Sequence, residues 1–242
     1  MEVHKPKPVH SWREFLSEIL VVVTGIAIAL GGEQVIEALH WRHEVHATQA
    51  AIRSELGDDL RFALLVEQYR PCTQAYMDAL ETAILARDTP TVRALYEMRS
   101  VNDPFPAAPW SSGTYAAALS SQVADHLPEG LLATYSREFT WVPMQLDFQG
   151  EVYERLSNAT TARLGLPTTP EILERRLAAI QDLRSEESGR LAISDAMLSY
   201  GRQRLAITPS DPAQIRANTE QARDCQTRLR AIEATARARP ST

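Results

Sequence analysis

Histidine is scarce in this 242-residue chain, and most of it lies near the N-terminus. Of the six histidines, only His126 lies beyond residue 46. Catalysis in the C-terminal body that needs an imidazole base therefore depends on His126 alone. This residue follows Asp125 and stands two positions before Pro128, a setting typical of a solvated or helix-capping residue. We therefore expect no histidine-based catalysis.

The common enzyme motifs are also missing. The sequence has no Gly-x-Ser-x-Gly, Gly-x-Gly-x-x-Gly, phosphate-binding P-loop or His-Glu-x-x-His pattern. These patterns mark frequent classes of hydrolase, dinucleotide-dependent enzyme, nucleotide triphosphatase and metalloprotease. A hydrolase that uses paired carboxylates alone is an alternative. It is a minor one, because no spacing in the sequence singles out such a pair. The sequence favours a protein that is not an enzyme.

Positive charge is in deficit. The chain has 31 acidic and 25 basic residues and a net charge of −6. Its two lysines, Lys5 and Lys7, lie in the first seven residues, and no lysine follows them, so arginine supplies the rest of the positive charge. A nucleic-acid-binding protein needs a basic face to displace counterions from phosphates, so we expect no nucleic-acid partner.

One cluster of potential metal ligands stands out in the sequence, and its members are His40, His43, His46, Glu33, Glu37 and Glu44. Glu37 and His40 match the Glu-x-x-His half-motif of di-iron helical bundles. That site needs a second such motif on a facing helix, and this chain does not repeat it. The three histidines also drift around the helix instead of converging. We expect no metal and no cofactor.

A single uncharged apolar run, Ile19–Gly32, lies near the N-terminus. Its 14 residues are fewer than the roughly 20 that a bilayer core takes, so the run alone is ambiguous. Trp12 and Trp41 flank it 29 residues apart, a helical span of roughly 43 Å that matches the distance between the two headgroup layers. We predict a transmembrane helix over residues 15–39, with these tryptophans as interface anchors.

The start of this helix has a recognisable signal, and two other readings of the run stay open. Ser11 and Glu14 have the spacing of a capping box, which predicts a helix beginning at Trp12. Ala27-Ile28-Ala29 also resembles a cleavage site behind a short apolar region, which would make the segment a removable signal peptide. A core helix of a soluble protein is the other alternative.

The flanking charges predict the orientation of the span. Lys5, Lys7 and Arg13 precede it, whereas Glu33 and Glu37 follow it. Positive charge beside a span stays on the cytoplasmic side. We therefore expect residues 1–14 to form a cytoplasmic leader, and the chain after the span to lie in the periplasm of a bacterium with its anchor in the inner membrane.

Cys72 and Cys225, the two cysteines of the chain, both lie beyond the span in separate predicted helices. In an oxidising compartment such an isolated pair often forms one disulfide, and we predict that it does so here. Two unpaired buried thiols are the alternative.

Small residues recur along the predicted span. Glu18, Gly25, Ala29 and Gly32 share one side of a helix. Small residues let helices approach closely in lipid, where packing drives association. We predict that these four residues form a contact face for another membrane protein or for a second copy of this chain, in addition to the lipid bilayer.

The rest of the chain predicts helix throughout, and so an all-α fold in which the span continues into a periplasmic helical bundle. Residues 40–70 are expected to form a stalk or the first bundle helix, ended or kinked at Pro71, and residues 71–242 a helical domain. Within that domain we predict helices over 73–87, 91–98, 114–124, 129–164 (broken or kinked at Pro143), 170–205 and 212–239, with a proline-rich loop over 100–112.

The segment His10–Phe15, together with Glu33–His43, resembles a group of uncharacterised proteobacterial membrane proteins that have one N-terminal span and a helical exported region. Pro71-Cys72 and the segment around Trp110 are also similar to that group. The resemblance implies an uncleaved anchor and no known activity.

These observations favour a non-catalytic accessory, scaffold or assembly subunit that associates with a larger membrane complex or with itself. The alternative is a periplasmic ligand-binding or sensing helical module. Its pocket would lie between bundle helices near Trp110, Trp141 and Tyr153.

Overall fold

The computed structural model describes residues 12–128, 130–160 and 169–239. Within these ranges every regular element is helical and no strand occurs, so the all-α prediction is confirmed. The α-helices are α1 (Trp12–Leu85), α2 (Thr89–Val101), α3 (Gly113–Leu119), α4 (Leu131–Phe139), α5 (Trp141–Thr160), α6 (Pro170–Tyr200) and α7 (Pro212–Arg237). A 3₁₀ turn covers Gln122–His126, and a π turn covers Gly201–Leu205.

The chain divides into two compact units, Met1–Gln49 and Ala50–Thr242. Part of the predicted 40–70 segment therefore belongs to each unit. Most of the predicted leader, including Ser11 of the capping box, lies outside the described residues. The predicted end of the 129–164 helix also falls outside them, because residues 161–168 are not described.

The sequence predicted that Pro71 ends or kinks the first helix, and the structure shows that it does not end one; the kink stays a prediction. Helix α1 runs through it to Leu85, so the separate helix predicted over 73–87 is part of α1. Proline inside a helix costs about 3 kcal/mol because it lacks an N–H and crowds the preceding turn. Pro71 itself is exposed, whereas Cys72, Tyr76 and Leu80 beyond it are fully buried, and their packing offsets that cost.

Two later helices begin where their capping signals predict. Thr169 accepts a hydrogen bond from the Ile172 amide at 3.4 Å, and Pro170 is the first residue of α6. Asp211 accepts one from the Gln214 amide at 3.0 Å at the start of α7. In both cases a side-chain oxygen satisfies an amide that has no partner within the helix.

The break predicted near Pro143 occurs at Thr140, between α4 and α5. Pro143 therefore lies in the first turn of α5, where a missing N–H costs no helical hydrogen bond. The 114–124 segment is likewise divided, into α3 and the 3₁₀ turn.

Two clusters of buried apolar side chains form the core of the Ala50–Thr242 unit, and residues of α1 belong to both. One cluster surrounds the two cysteines and includes Tyr76, Leu80, Leu95, Phe105, Leu156, Ile180 and Leu183. The other includes Ile52, Leu56, Leu60, Tyr115, Tyr135, Phe139, Val142 and Met197. A Cβ added to Gly201 would lie 2.7 Å from Leu60 Cδ1, so a glycine permits this close approach.

Candidate functional site

The apolar segment of α1 is exposed along its whole length. Among the described residues, α1 is the one helix long and apolar enough to cross a membrane, and none of its apolar window is buried. Val21 is 71% exposed and Ile28 is 70% exposed. Soluble proteins rarely expose a continuous apolar surface of this extent. The segment is therefore a candidate for contact with lipid or with another apolar surface.

The predicted contact face lies on this exposed part of α1. Glu18, Gly25, Ala29 and Gly32 are all exposed. A Cβ added to either glycine would meet no atom within 4 Å. The face is thus open for a partner helix, and the contact itself stays a prediction.

The two predicted interface anchors differ in exposure. Trp12 is 72% exposed, and its ring lies 5.7 Å from that of Phe15. Trp41 is half-buried, and its indole N–H donates to Glu37 Oε1 at 3.4 Å.

Both residues of the Glu-x-x-His half-motif, Glu37 and His40, lie beside Trp41. Glu37 accepts the hydrogen bond from Trp41, and the His40 ring lies 5.3 Å from the Trp41 ring. Across the described part of the chain, no three His, Cys, Asp or Glu side chains are arranged to hold a metal ion. His126 is exposed at the end of the 3₁₀ turn.

Cys72 of α1 and Cys225 of α7 lie at disulfide distance, with Cα atoms 6.0 Å apart. Both are fully buried within the first apolar cluster. The pair joins positions 153 residues apart in the sequence. The predicted pairing therefore agrees with the geometry.

Glu55 of α1 caps the start of α3. Its Oε1 accepts hydrogen bonds from Ser111 Oγ at 2.7 Å and the Thr114 amide at 3.0 Å, and its Oε2 accepts from the Tyr115 amide at 3.1 Å. The residue before α3, Ser112, makes no side-chain capping bond. A carboxylate from a distant helix therefore satisfies the free amides and complements the positive end of α3.

A cleft of about 490 Å³ lies beside this cap. It is lined by carboxylates of Glu55, Asp58 and Asp59 and by the guanidinium of Arg61. These groups are already engaged within the protein: Asp58 accepts from Ser210 Oγ, and Arg61 lies 4.3 Å above the Phe62 ring. The cleft is an acidic surface held together by its own contacts.

Asp59 reaches from this region into the core. It is 1% exposed; its Oδ1 accepts from the Ser111 amide at 3.2 Å, and its Oδ2 has no hydrogen-bond partner among the described residues. Burial raises the pKa of Asp59 to about 7; the Ser111 amide opposes the rise, and the charges of Glu55 and Asp58 add to it.

Glu138 of α4 is buried more completely. It is 0% exposed, and neither carboxyl oxygen has a hydrogen-bond partner in the described part of the chain. Burial raises the pKa of Glu138 to about 8, and the charge of Asp59 adds to the rise. Because an ionised carboxylate without donors is costly to bury, Glu138 is protonated in this packing at neutral pH.

A buried ion pair links two turns of α6. Glu187 Oε2 and Oε1 accept from Arg190 Nε at 2.8 Å and Nη2 at 3.0 Å, and Arg190 Nη1 donates to the Pro106 carbonyl at 3.1 Å. The two side chains are 1% and 2% exposed. Nearby, the Gln145 amide donates to the Arg190 carbonyl and to Ser194 Oγ, so polar contacts join α5 to α6.

The aromatic residues of the alternative ligand pocket have separate neighbours. Trp110 packs edge-on against Phe62, and Trp141 packs edge-on against Tyr200. The Tyr153 hydroxyl donates to the Phe105 carbonyl at 3.2 Å. A pocket shared by Trp110, Trp141 and Tyr153 stays a prediction.

No family model, curated protein or solved structure matches this chain.

The buried polar residues were not among the predicted site residues. Glu138 occurs at helical spacing with Tyr135, Phe139 and Val142, all of which are buried. A carboxylate inside such an apolar stripe is a signal that can be read from the sequence. Asp59, between the buried Leu56 and Leu60, gives the same signal on α1.

Proposed function

We propose that this protein is a non-catalytic, membrane-anchored subunit. Residues 15–39 cross the bacterial inner membrane, residues 1–14 stay in the cytoplasm, and the helical unit lies in the periplasm. The protein acts as an accessory, scaffold or assembly component of a larger membrane complex or of its own oligomer. The observation that carries this proposal is the wholly exposed apolar segment of α1.

Export is supported by the cysteine pair. Disulfides persist in oxidising compartments and are rare in the cytosol. Cys72 and Cys225, the two cysteines of this chain, lie at disulfide distance. The basic leader before the span supports the same orientation.

Association is supported by the small-residue face, which is open in the single chain. Isoleucine at both Gly25 and Gly32 keeps the span apolar but prevents close approach of a second helix. We expect this double variant to stay in the membrane fraction and to lose the partner, or second copy, that co-purifies with the wild-type chain after mild detergent extraction.

The matched control is Ala27→Ile, which adds similar bulk on the opposite side of the helix and should leave co-purification unchanged. A wild-type chain that is monomeric and free of partners in mild detergent contradicts the proposed association. Equal loss in the control shows that the effect is not specific to the predicted face.

A further inference from the structure

The short helix α4 carries the most unusual buried group of the helical unit. Glu138 lies on the side of α4 that contributes Tyr135 and Phe139 to the second apolar cluster, and the Phe139 ring stacks on Tyr115 of α3 at 4.5 Å. Neither carboxyl oxygen of Glu138 has a partner among the described residues. The packing of α4 therefore places a carboxyl group in an apolar site in which no described residue donates a hydrogen bond to stabilise its ionised form.

The charged groups around this site do not neutralise Glu138. On α1, the charge of Asp59 disfavours a negative charge on Glu138, and the charges of Glu55 and Asp58 disfavour one on Asp59. On the other elements packed against α4, the charged groups Asp147, Arg202 and Arg204 are exposed. On α4 itself, the exposed Arg137 lies above the Tyr200 ring at 5.4 Å.

The nine residues of α4 also depend on this packing for their order. Isolated helices shorter than about 12 residues are marginal in water. The residue before α4, Gly130, provides no side-chain cap. A loss of contact between α4 and the core therefore favours local unfolding of α4 over its persistence as a free helix.

We propose that protonation of Glu138 controls the docking of α4: the protonated side chain keeps α4 packed on the core, and loss of the proton releases it. The packing of α4 on the second apolar cluster is then sensitive to pH. Release uncovers the aromatic side chains Tyr135, Phe139 and Tyr115, which are buried when α4 is docked.

The direction of the pH dependence follows from the raised pKa. A carboxyl whose pKa is higher in the folded state binds its proton more tightly there, so docking is strongest at low pH and weakens as the pH rises. The unperturbed pKa of Glu138 is 4.5, and its pKa in the docked state is about 8. The fraction of undocked α4 is therefore expected to rise about tenfold for each pH unit between about pH 4.5 and 8, and to level off above about pH 8, where the docked side chain is ionised as well.

Hydrogen exchange of the full chain in detergent micelles tests the proposal. Exchange of amides 131–139 is measured by mass spectrometry from about pH 4 to 10 and corrected for the intrinsic pH dependence of exchange. We expect their protection to fall about tenfold per pH unit up to a midpoint near pH 8, the pKa of the docked side chain, and to level off above it. The protection of amides 177–183 in α6 is expected to stay unchanged. Constant protection of 131–139 over this range overturns the proposal.

Variants separate this contact from general alkaline unfolding. Glu138→Gln removes this titration and should make the protection of 131–139 independent of pH above about pH 7, the pKa of Asp59. The exposed control Glu154→Gln should behave as the wild type. Asp59→Asn removes a neighbouring negative charge and should move the midpoint to lower pH. A wild-type pH profile in Glu138→Gln, or an unshifted midpoint in Asp59→Asn if Glu138→Gln does not fold, overturns the proposal.

Discussion

Removal of the Cys72–Cys225 link lowers the free energy of unfolding by about 5 kcal/mol, which is the expectation for a cross-link between residues 153 apart. The effect arises chiefly because the linked unfolded chain has fewer conformations. This is about a third or more of the 5–15 kcal/mol that stabilises a typical domain. Chemical denaturation of the double variant Cys72→Ala, Cys225→Ala in detergent, followed by far-UV circular dichroism, measures it.

The control is the wild-type chain with and without a reductant. Reduction should destabilise the wild type by a similar amount and leave the double variant unchanged. Equal stability of wild type and double variant in the absence of reductant contradicts a formed disulfide. It would favour the alternative reading of two buried thiols.

Glu187→Gln is expected to lower the free energy of unfolding by about 3–5 kcal/mol, because it leaves the guanidinium of Arg190 buried without a compensating charge. The substitution keeps the volume of the side chain, so a cavity does not explain the loss. Burial raises the pKa of Glu187 although the charge of Arg190 opposes the rise, which indicates how costly the desolvation of this pair is.

A second variant and an exposed pair give the controls. Glu187→Met combined with Arg190→Met removes both charges and should recover part of the loss, although the Pro106 carbonyl then loses its donor. Glu233→Gln breaks a solvent-accessible pair in which Arg237 is exposed and Glu233 half-buried, and should cost less than about 1 kcal/mol. A Glu187→Gln loss no larger than that of Glu233→Gln contradicts the buried-pair account.

The helical class and several helix boundaries could be predicted because they depend on local signals. Thr169-Pro170 and Asp211-Pro212 place capping oxygens and prolines at the starts of α6 and α7, and the structure bears out both. Pro71 gave a false boundary. Its local cost is real, but burial of Cys72, Tyr76 and Leu80 is a tertiary effect that local reasoning does not include.

The polar contacts in the core were less predictable because they join distant parts of the chain. Glu55 caps α3 from α1, across about sixty residues, and no sequence spacing links it to Thr114 or Tyr115. Glu187 and Arg190 have the spacing of an ordinary exposed i,i+3 pair, and only the packing of α5 and the Pro106 segment buries them. Hydrophobic periodicity identifies which face of a helix is buried, but it does not identify the element that packs against that face.

The central claim is that residues 15–39 are embedded in a bilayer with the helical unit on the periplasmic side. Alkaline carbonate extraction of cell membranes, combined with protease added to spheroplasts, tests both parts of it. We predict that the chain stays in the membrane pellet and that external protease digests the region after residue 40 while the N-terminus remains protected. A chain released into the carbonate supernatant, or a helical unit protected from external protease, contradicts the account.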